Sequence, residues 1–121
     1  MRVLLVEDDE TIARALDRWL RRQGASVRVV ADPLELEVAL ESFVPTVVVS
    51  DLNMPHRSGV EVLTLVKQLA PHARRVMLSG SLESLNAENL AAIAPCRLVS
   101  KPWREETLAH DLGLSETEEP S

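Results

Sequence analysis

Residues 47–59 read Val-Val-Val-Ser-Asp-Leu-Asn-Met-Pro-His-Arg-Ser-Gly. The run Val47 to Val49 is apolar and β-branched with no polar alternation, which suits a strand covered on both faces in a parallel sheet. It ends in Ser50 and Asp51, so a hydroxyl and a carboxylate stand where the strand gives way to a loop. Ser58, with Glu61 three residues on, has the spacing of a capping box and starts a helix. Its inward residues are expected to be Val62, Leu63, Val66 and Leu69, with Pro71 beyond its end.

The same alternation extends in both directions. Val3 to Val6, Val27 to Val30, Val76 to Leu78 and Leu98 to Val99 are further short apolar runs, and the first and third of these are continuous. Between the first two, Ile12, Ala15, Leu16, Trp19 and Leu20 recur at helical spacing, with Asp9 as N-cap and Gly24 just past the end. Asp32-Pro33-Leu34-Glu35 opens a second helix, with Asp32 capping, Glu35 completing a capping box, and Leu36, Ala39, Leu40 and Phe43 inward. Weaker patterns place a fourth helix from about Leu82 to Ile93 and a fifth over Arg104 to Leu112, the latter with Trp103 and Leu108. Five strands alternating with five helices predict an α/β fold: a flavodoxin-like, doubly wound (βα)5 parallel sheet with strand order 2-1-3-4-5. Residues 1–114 form that domain, and the acidic stretch 115–121 is expected to be a flexible tail or the start of a linker.

Composition narrows the function classes. A chain of 121 residues suffices for one domain with its own core. With 13 basic against 19 acidic residues and a net charge of -6, the domain lacks the basic face that nucleic acid or an anionic membrane requires. No apolar run reaches the ~20 residues of a membrane span, and the apolar start meets Glu7 too early for a signal peptide. A single cysteine, Cys96, excludes a multi-cysteine metal site and fits a reducing compartment, so the cytoplasm is expected. Two tryptophans, one phenylalanine and no tyrosine leave little for stacking flat cofactors.

In open parallel sheets ligands bind beyond the carboxyl ends of the strands, near the topological switch point. The first strand ends in Glu7-Asp8-Asp9, the third in Ser50-Asp51, the fourth in Ser79-Gly80 and the fifth in Ser100-Lys101-Pro102. The second, an edge strand, ends in Ala31-Asp32 and offers only a helix cap. One shallow pocket would thus gather two or three carboxylates, a hydroxyl and an ammonium. Clustered carboxylates need cations, and Glu7, Asp8 and Asp51 suit Mg2+, a hard ion that takes oxygen ligands. Together with Lys101 and Ser79 they can accept a phosphoryl group, Asp51 being the attacking carboxylate.

These segments, Val3 to Asp9, Val47 to Gly59, Val76 to Gly80 and Lys101-Pro102, resemble the receiver (REC) domain of bacterial two-component response regulators. The resemblance implies that Asp51 is the phosphoacceptor, that Asp8 holds Mg2+ directly and Glu7 through water, and that the backbone carbonyl of Asn53 is a further ligand. It implies that Lys101 contacts the phosphoryl group, that Ser79 hydrogen-bonds it once attached, and that Lys101-Pro102 is a cis peptide. It also implies a phosphoryl donor, either a sensor histidine kinase or a histidine phosphotransfer protein, and a downstream effector domain or partner. A homodimer through the fourth helix, fifth strand and fifth helix is a further expectation. The family's switch pairs the strand-four hydroxyl with an aromatic three residues before the lysine, and here that position is Leu98.

Two alternatives compete with a receiver that assists its own phosphorylation but is not an enzyme acting on metabolites. A phosphate-independent pseudo-receiver would be expected to lack an acid-pocket residue, and none is missing. A haloacid-dehalogenase-like Mg2+-dependent phosphohydrolase would carry a second acid two residues after the nucleophile, where this chain has Asn53. Arg18, Arg21 and Arg22 read first as a solvated helix face and second as a docking patch. His56, His72 and His110 have no ligand spacing, Trp103 reads as packing, and Met54 and Pro55 shape the loop beside Asp51.

Overall fold

A computed structural model describes residues 1–114; the expectation for 115–121 lies outside the described residues. Five parallel strands, β1 (Arg2–Val6), β2 (Ser26–Val30), β3 (Val47–Asp51), β4 (Arg74–Ser79) and β5 (Arg97–Ser100), form one sheet in the order β2-β1-β3-β4-β5. Helices α1 (Glu10–Arg22), α2 (Leu36–Ser42), α3 (Gly59–Leu69), α4 (Ala87–Ile93) and α5 (Glu105–Leu112) fill the connections. The flavodoxin-like order expected from the sequence is therefore the order observed. Register pairs Val6 with Ser50, Asp51 with Leu78 and Ser79 with Ser100, so these strand ends lie side by side.

The sheet separates two apolar layers because alternate side chains of each strand point to opposite faces. Val3, Leu5, Val47, Val49, Val76 and Leu78 pack with Leu16, Trp19 and Leu20 of α1 and Leu108 and Leu112 of α5, and Trp103 leans on this layer half-buried. Leu4, Val6, Val48 and Met77 face Leu36 of α2, Val62, Leu63 and Val66 of α3, and Ile93 of α4. Continuous apolar runs in β1, β3 and β4 are thus explained by burial on both faces.

Several local expectations are corrected. In α1 the buried alanine is Ala13 and Ala15 is exposed, since Ala13 lies one turn before Leu16 and two before Leu20 on the sheet-facing stripe. Asp32 caps as expected, accepting from the Leu34 N–H, but Pro33–Glu35 is a 3-10 turn and Glu35 completes no capping box. Leu69, the last residue of α3, is 55% exposed, and the C-cap Ala70 is buried in its place. The fourth helix is divided: Leu82–Ser84 forms a 3-10 turn and Asn86 starts α4 afresh. Asn86 and Asn89 cap each other reciprocally, which marks the boundary between the two pieces. The Ser58–Glu61 capping box and the Asp9 N-cap form as read, and Lys101-Pro102 is cis, as is Ala94-Pro95.

Candidate functional site

The pocket lies at the carboxyl ends of β1, β3, β4 and β5, beside the point where the chain reverses direction across the sheet. Glu7 continues β1 by one residue; its N–H donates to the Val30 carbonyl at 3.1 Å, and its side chain is 1% exposed. Asp8 follows, exposed, while Asp9 turns away to cap α1 through the Thr11 and Ile12 N–H groups. Asp51 ends β3 with its Oδ1 accepting from the Leu52 N–H at 2.8 Å, a bond that fixes the carboxylate at the mouth of the strand. Oxygens of Glu7, Asp8 and Asp51 all lie within 4.8 Å of one another.

Lys101 bridges the group. Its Nζ is 3.1 Å from Asp51 Oδ1 and 3.3 Å from Glu7 Oε1, and its N–H donates to the Ser79 carbonyl at 2.9 Å, continuing the β4–β5 ladder into the pocket. One ammonium among three carboxylates leaves a local negative excess. Burial, followed by the charge of Asp51, pushes Glu7 from its ordinary value near 4.5 up to about 7, with Lys101 opposing. Burial also works against the charged form of Lys101, but its hydrogen bond to Asp51 and the charges of Glu7 and Asp51 outweigh it and hold the ammonium above its ordinary value. The donor set is all carboxylate, hard and preassembled, and it fits a hard divalent cation such as Mg2+ better than a softer ion that prefers nitrogen or sulfur.

Ser79 is buried at the end of β4, and its Oγ accepts from the Ser81 N–H at 3.0 Å. Ser81 Oγ lies 3.3 Å from Ser79 Oγ and accepts from Asn53 Nδ2 at 2.9 Å. Sequence reasoning passed over Ser81, whose only signal is a second hydroxyl two residues after the first. Leu98 is 37% exposed on β5, opposite Met77 in register and outside the carboxylate group. A Cβ on Gly59 would overlap the Asp51 carbonyl and lie 2.7 Å from Met77 Sδ, so only glycine allows α3 to approach the Asp51 strand this closely. Arg21 is engaged with Asp17 and the Val27 carbonyl, which ties part of the α1 basic cluster to its own layer. The described residues include no helix long and apolar enough to cross a membrane.

A family model for the response regulator receiver domain matches residues 3–112. The hydrogenase transcriptional regulatory protein HoxA of Bradyrhizobium diazoefficiens is 32% identical over 108 residues, covering 87% of this chain and 22% of that protein. The sensor kinase CckA of Brucella abortus is 32% identical over 109 residues, covering 88% of this chain and 12% of that protein, so the match is to a small part of each relative. Among solved structures, the chemotaxis response regulator CheY4 of Vibrio cholerae is similar with a TM-score of 0.80 at 26% identity, covering 92% of this chain and 94% of that one. A CheY-like response regulator receiver domain protein from Methanospirillum hungatei has a TM-score of 0.82 at 26% identity, covering 97% and 95%.

Proposed function

This chain belongs to the response regulator receiver domain family, and from that premise we propose that it is a phosphorylation switch whose phosphoacceptor is Asp51. The observation that carries the proposal is the position of Lys101 Nζ, 3.1 Å from Asp51 and 3.3 Å from Glu7, beside three carboxylates whose oxygens gather within 4.8 Å. Asp51 attacks the phosphorus of a phosphohistidine on a sensor kinase or histidine phosphotransfer protein. The P–N bond breaks, its electron pair leaves with the imidazole, and an aspartyl phosphate forms.

Asp8, Asp51 and the Asn53 carbonyl would hold Mg2+ directly and Glu7 through water. When bound, the ion neutralises charge on the phosphoryl oxygens. Lys101, on Asp51 Oδ1 in the free chain, would carry its charge to the phosphoryl oxygens once the group is attached. The Ser79 hydroxyl, held by the Ser81 N–H, turns to donate to a phosphoryl oxygen. Leu98, 37% exposed on β5, then moves into the space vacated by Ser79, altering the α4-β5-α5 face that an effector, a partner or a second copy would read. The setting is cytoplasmic, and the domain works as a phosphoacceptor that assists its own phosphorylation and dephosphorylation.

The test is incubation with Mg2+ and acetyl phosphate, with mass measured on the intact chain. One phosphoryl group is expected on the chain and none on Asp51→Ala; the adduct should be labile to base. Absence of any adduct would favour a phosphate-independent interaction module, and multiple turnover of many phosphate esters would favour a phosphohydrolase.

A further inference from the structure

We propose that Arg57 is a positioning residue for the divalent-cation subsite, its two-pronged clamp on Glu37 holding the β3–α3 loop in a strained turn that presents the Asn53 carbonyl to the ion. The inference rests on the divalent-cation site of the proposed function and extends it to two side chains outside the pocket.

The loop is closed at its base by the Gly59 N–H donating to the Leu52 carbonyl at 2.8 Å. At its tip the chain reverses within three residues: the Arg57 N–H donates to the Pro55 carbonyl at 2.9 Å, and His56 between them has φ of 73°. A γ-turn of this hand is rare for a residue bearing a Cβ and persists only where the surroundings over-determine it. Met54, packed against the α2–α4 layer, anchors the near limb of the loop, and past the turn the hold is one side chain. Arg57 Nη1 and Nη2 donate to the two carboxylate oxygens of Glu37 at 2.7 and 2.9 Å, and Nη1 reaches the Pro33 carbonyl at 3.3 Å. Asp32 and Glu61 add negative charge around the same guanidinium.

A partly exposed ion pair adds little to global stability, but a guanidinium–carboxylate fork fixes direction. Its effect is therefore expected in the geometry of the loop more than in the stability of the fold. On its other limb the loop is tied through Asn53 Nδ2 to Ser81. Asn53 thus sits between two tethers, one to the β4 end and one, four residues on, to α2. Without Arg57 the Ser81 tether, the packing of Met54 and the Gly59–Leu52 bond at the base remain, but the turn at His56 loses its hold on α2 and the carbonyl shares that slack. Mg2+ demands near-ideal octahedral geometry, so it is sensitive to such slack.

The experiment is calorimetric titration of the full chain with MgCl2, alongside acetyl phosphate labelling as a function of Mg2+. Arg57→Gln, Glu37→Gln, their combination, and Arg57→Lys are compared with the original chain. Each Gln variant is expected to weaken Mg2+ binding about 3- to 10-fold, less than the roughly 10- to 100-fold that losing a direct partner of a metal ligand costs, because the clamp acts through the loop. The double variant should be no worse than either single one, because both break one clamp, and Arg57→Lys should fall between, since it keeps charge and loses the fork. The labelling rate at saturating Mg2+ should change less than the half-saturating concentration. Binding unchanged within about twofold, additive losses, or losses that track a fall in the urea midpoint overturn the proposal, as does a chain that binds no Mg2+. Mg2+ binding weakened as expected in a chain that takes no phosphoryl group leaves the clamp standing and refutes the phosphoacceptor proposal alone.

Discussion

Replacing Gly59 by alanine measures how tightly the Asp51 strand is pressed against α3. Gly59 is the first residue of α3, and an added Cβ would overlap the Asp51 carbonyl oxygen and lie 2.7 Å from Met77 Sδ and 2.9 Å from Leu52 Cα. Ordinary carbon–carbon contact is about 3.5–4.0 Å, so the Leu52 backbone has to retreat by roughly 0.6–1.1 Å. The neighbours cannot swing aside: two are backbone, and Met77 is fully buried in the α2–α4 layer. Overpacking of this kind costs about 1–3 kcal/mol, and alanine's helical preference, which belongs to helix interiors, recovers little of it at the first helical position, leaving a net loss of about 1–3 kcal/mol. Urea unfolding of the variant measures it, with Gly80→Ala as control, because a Cβ on Gly80 meets nothing within 4 Å. The control should stay within about 0.5 kcal/mol of the original chain. A displacement near 1 Å beside the attacking carboxylate should also slow labelling by acetyl phosphate by on the order of 10²-fold. A Gly59→Ala chain as stable as its parent and labelled as fast would refute the reasoning.

Other perturbations test separate parts of the structure. Glu7 titrates near 7 in the metal-free fold and near 4.5 when unfolded, so its protonated form stabilises the fold at low pH and that advantage is lost as pH rises from about 4.5 through 7. Glu7→Gln is therefore expected to match the original chain near pH 5 and to exceed it at pH 8 in EDTA by up to about 3 kcal/mol, at about 1.4 kcal/mol per unit; equal midpoints at both pH values would refute this. Arg75, 5% exposed, donates Nε to the Ile93 carbonyl and Nη2 to the Ala94 carbonyl, both at 3.1 Å. Arg75→Met should cost about 2–4 kcal/mol in urea unfolding and speed amide exchange at the end of α4. Asn86→Ala removes a reciprocal cap and should cost about 1 kcal/mol, with faster exchange confined to the first turn of α4.

How much of this was legible varies with the range of the interaction. The continuous valines of β1, β3 and β4 announce burial on both faces, and from strand order alone the ends carrying Glu7, Asp8, Asp51, Ser79 and Lys101 fall together. Within one helix the limits are set by small side chains: Ala13 and Ala15 carry the same apolar signal, and the angle that separates them is smaller than hydropathy resolves. The Glu7-Asp8-Asp9 run does not say which acid is buried, because burial there depends on the neighbouring β2 end, where the Val30 carbonyl receives the Glu7 N–H. Arg75 reads as a surface charge at a strand start until α4 is laid across it. The Arg57–Glu37 fork spans 20 residues and two connections, and nothing local in either segment signals it. Ser81 needed the Asn53 side chain to give its hydroxyl a place.

The two-layer core has an optical consequence. Trp19 belongs to the α1/α5 layer, Trp103 rests against it, and the chain has no tyrosine. Intrinsic fluorescence is therefore a one-sided probe: it reports the environment of α1 and α5, while the layer of α2, α3 and α4 emits almost nothing. Circular dichroism at far-ultraviolet wavelengths counts helices on both sides. Coincident unfolding curves from the two signals would mean that the sheet transmits melting across itself as one cooperative unit, and a fluorescence transition at higher urea would mean that the layer carrying the β3–α3 loop loosens first.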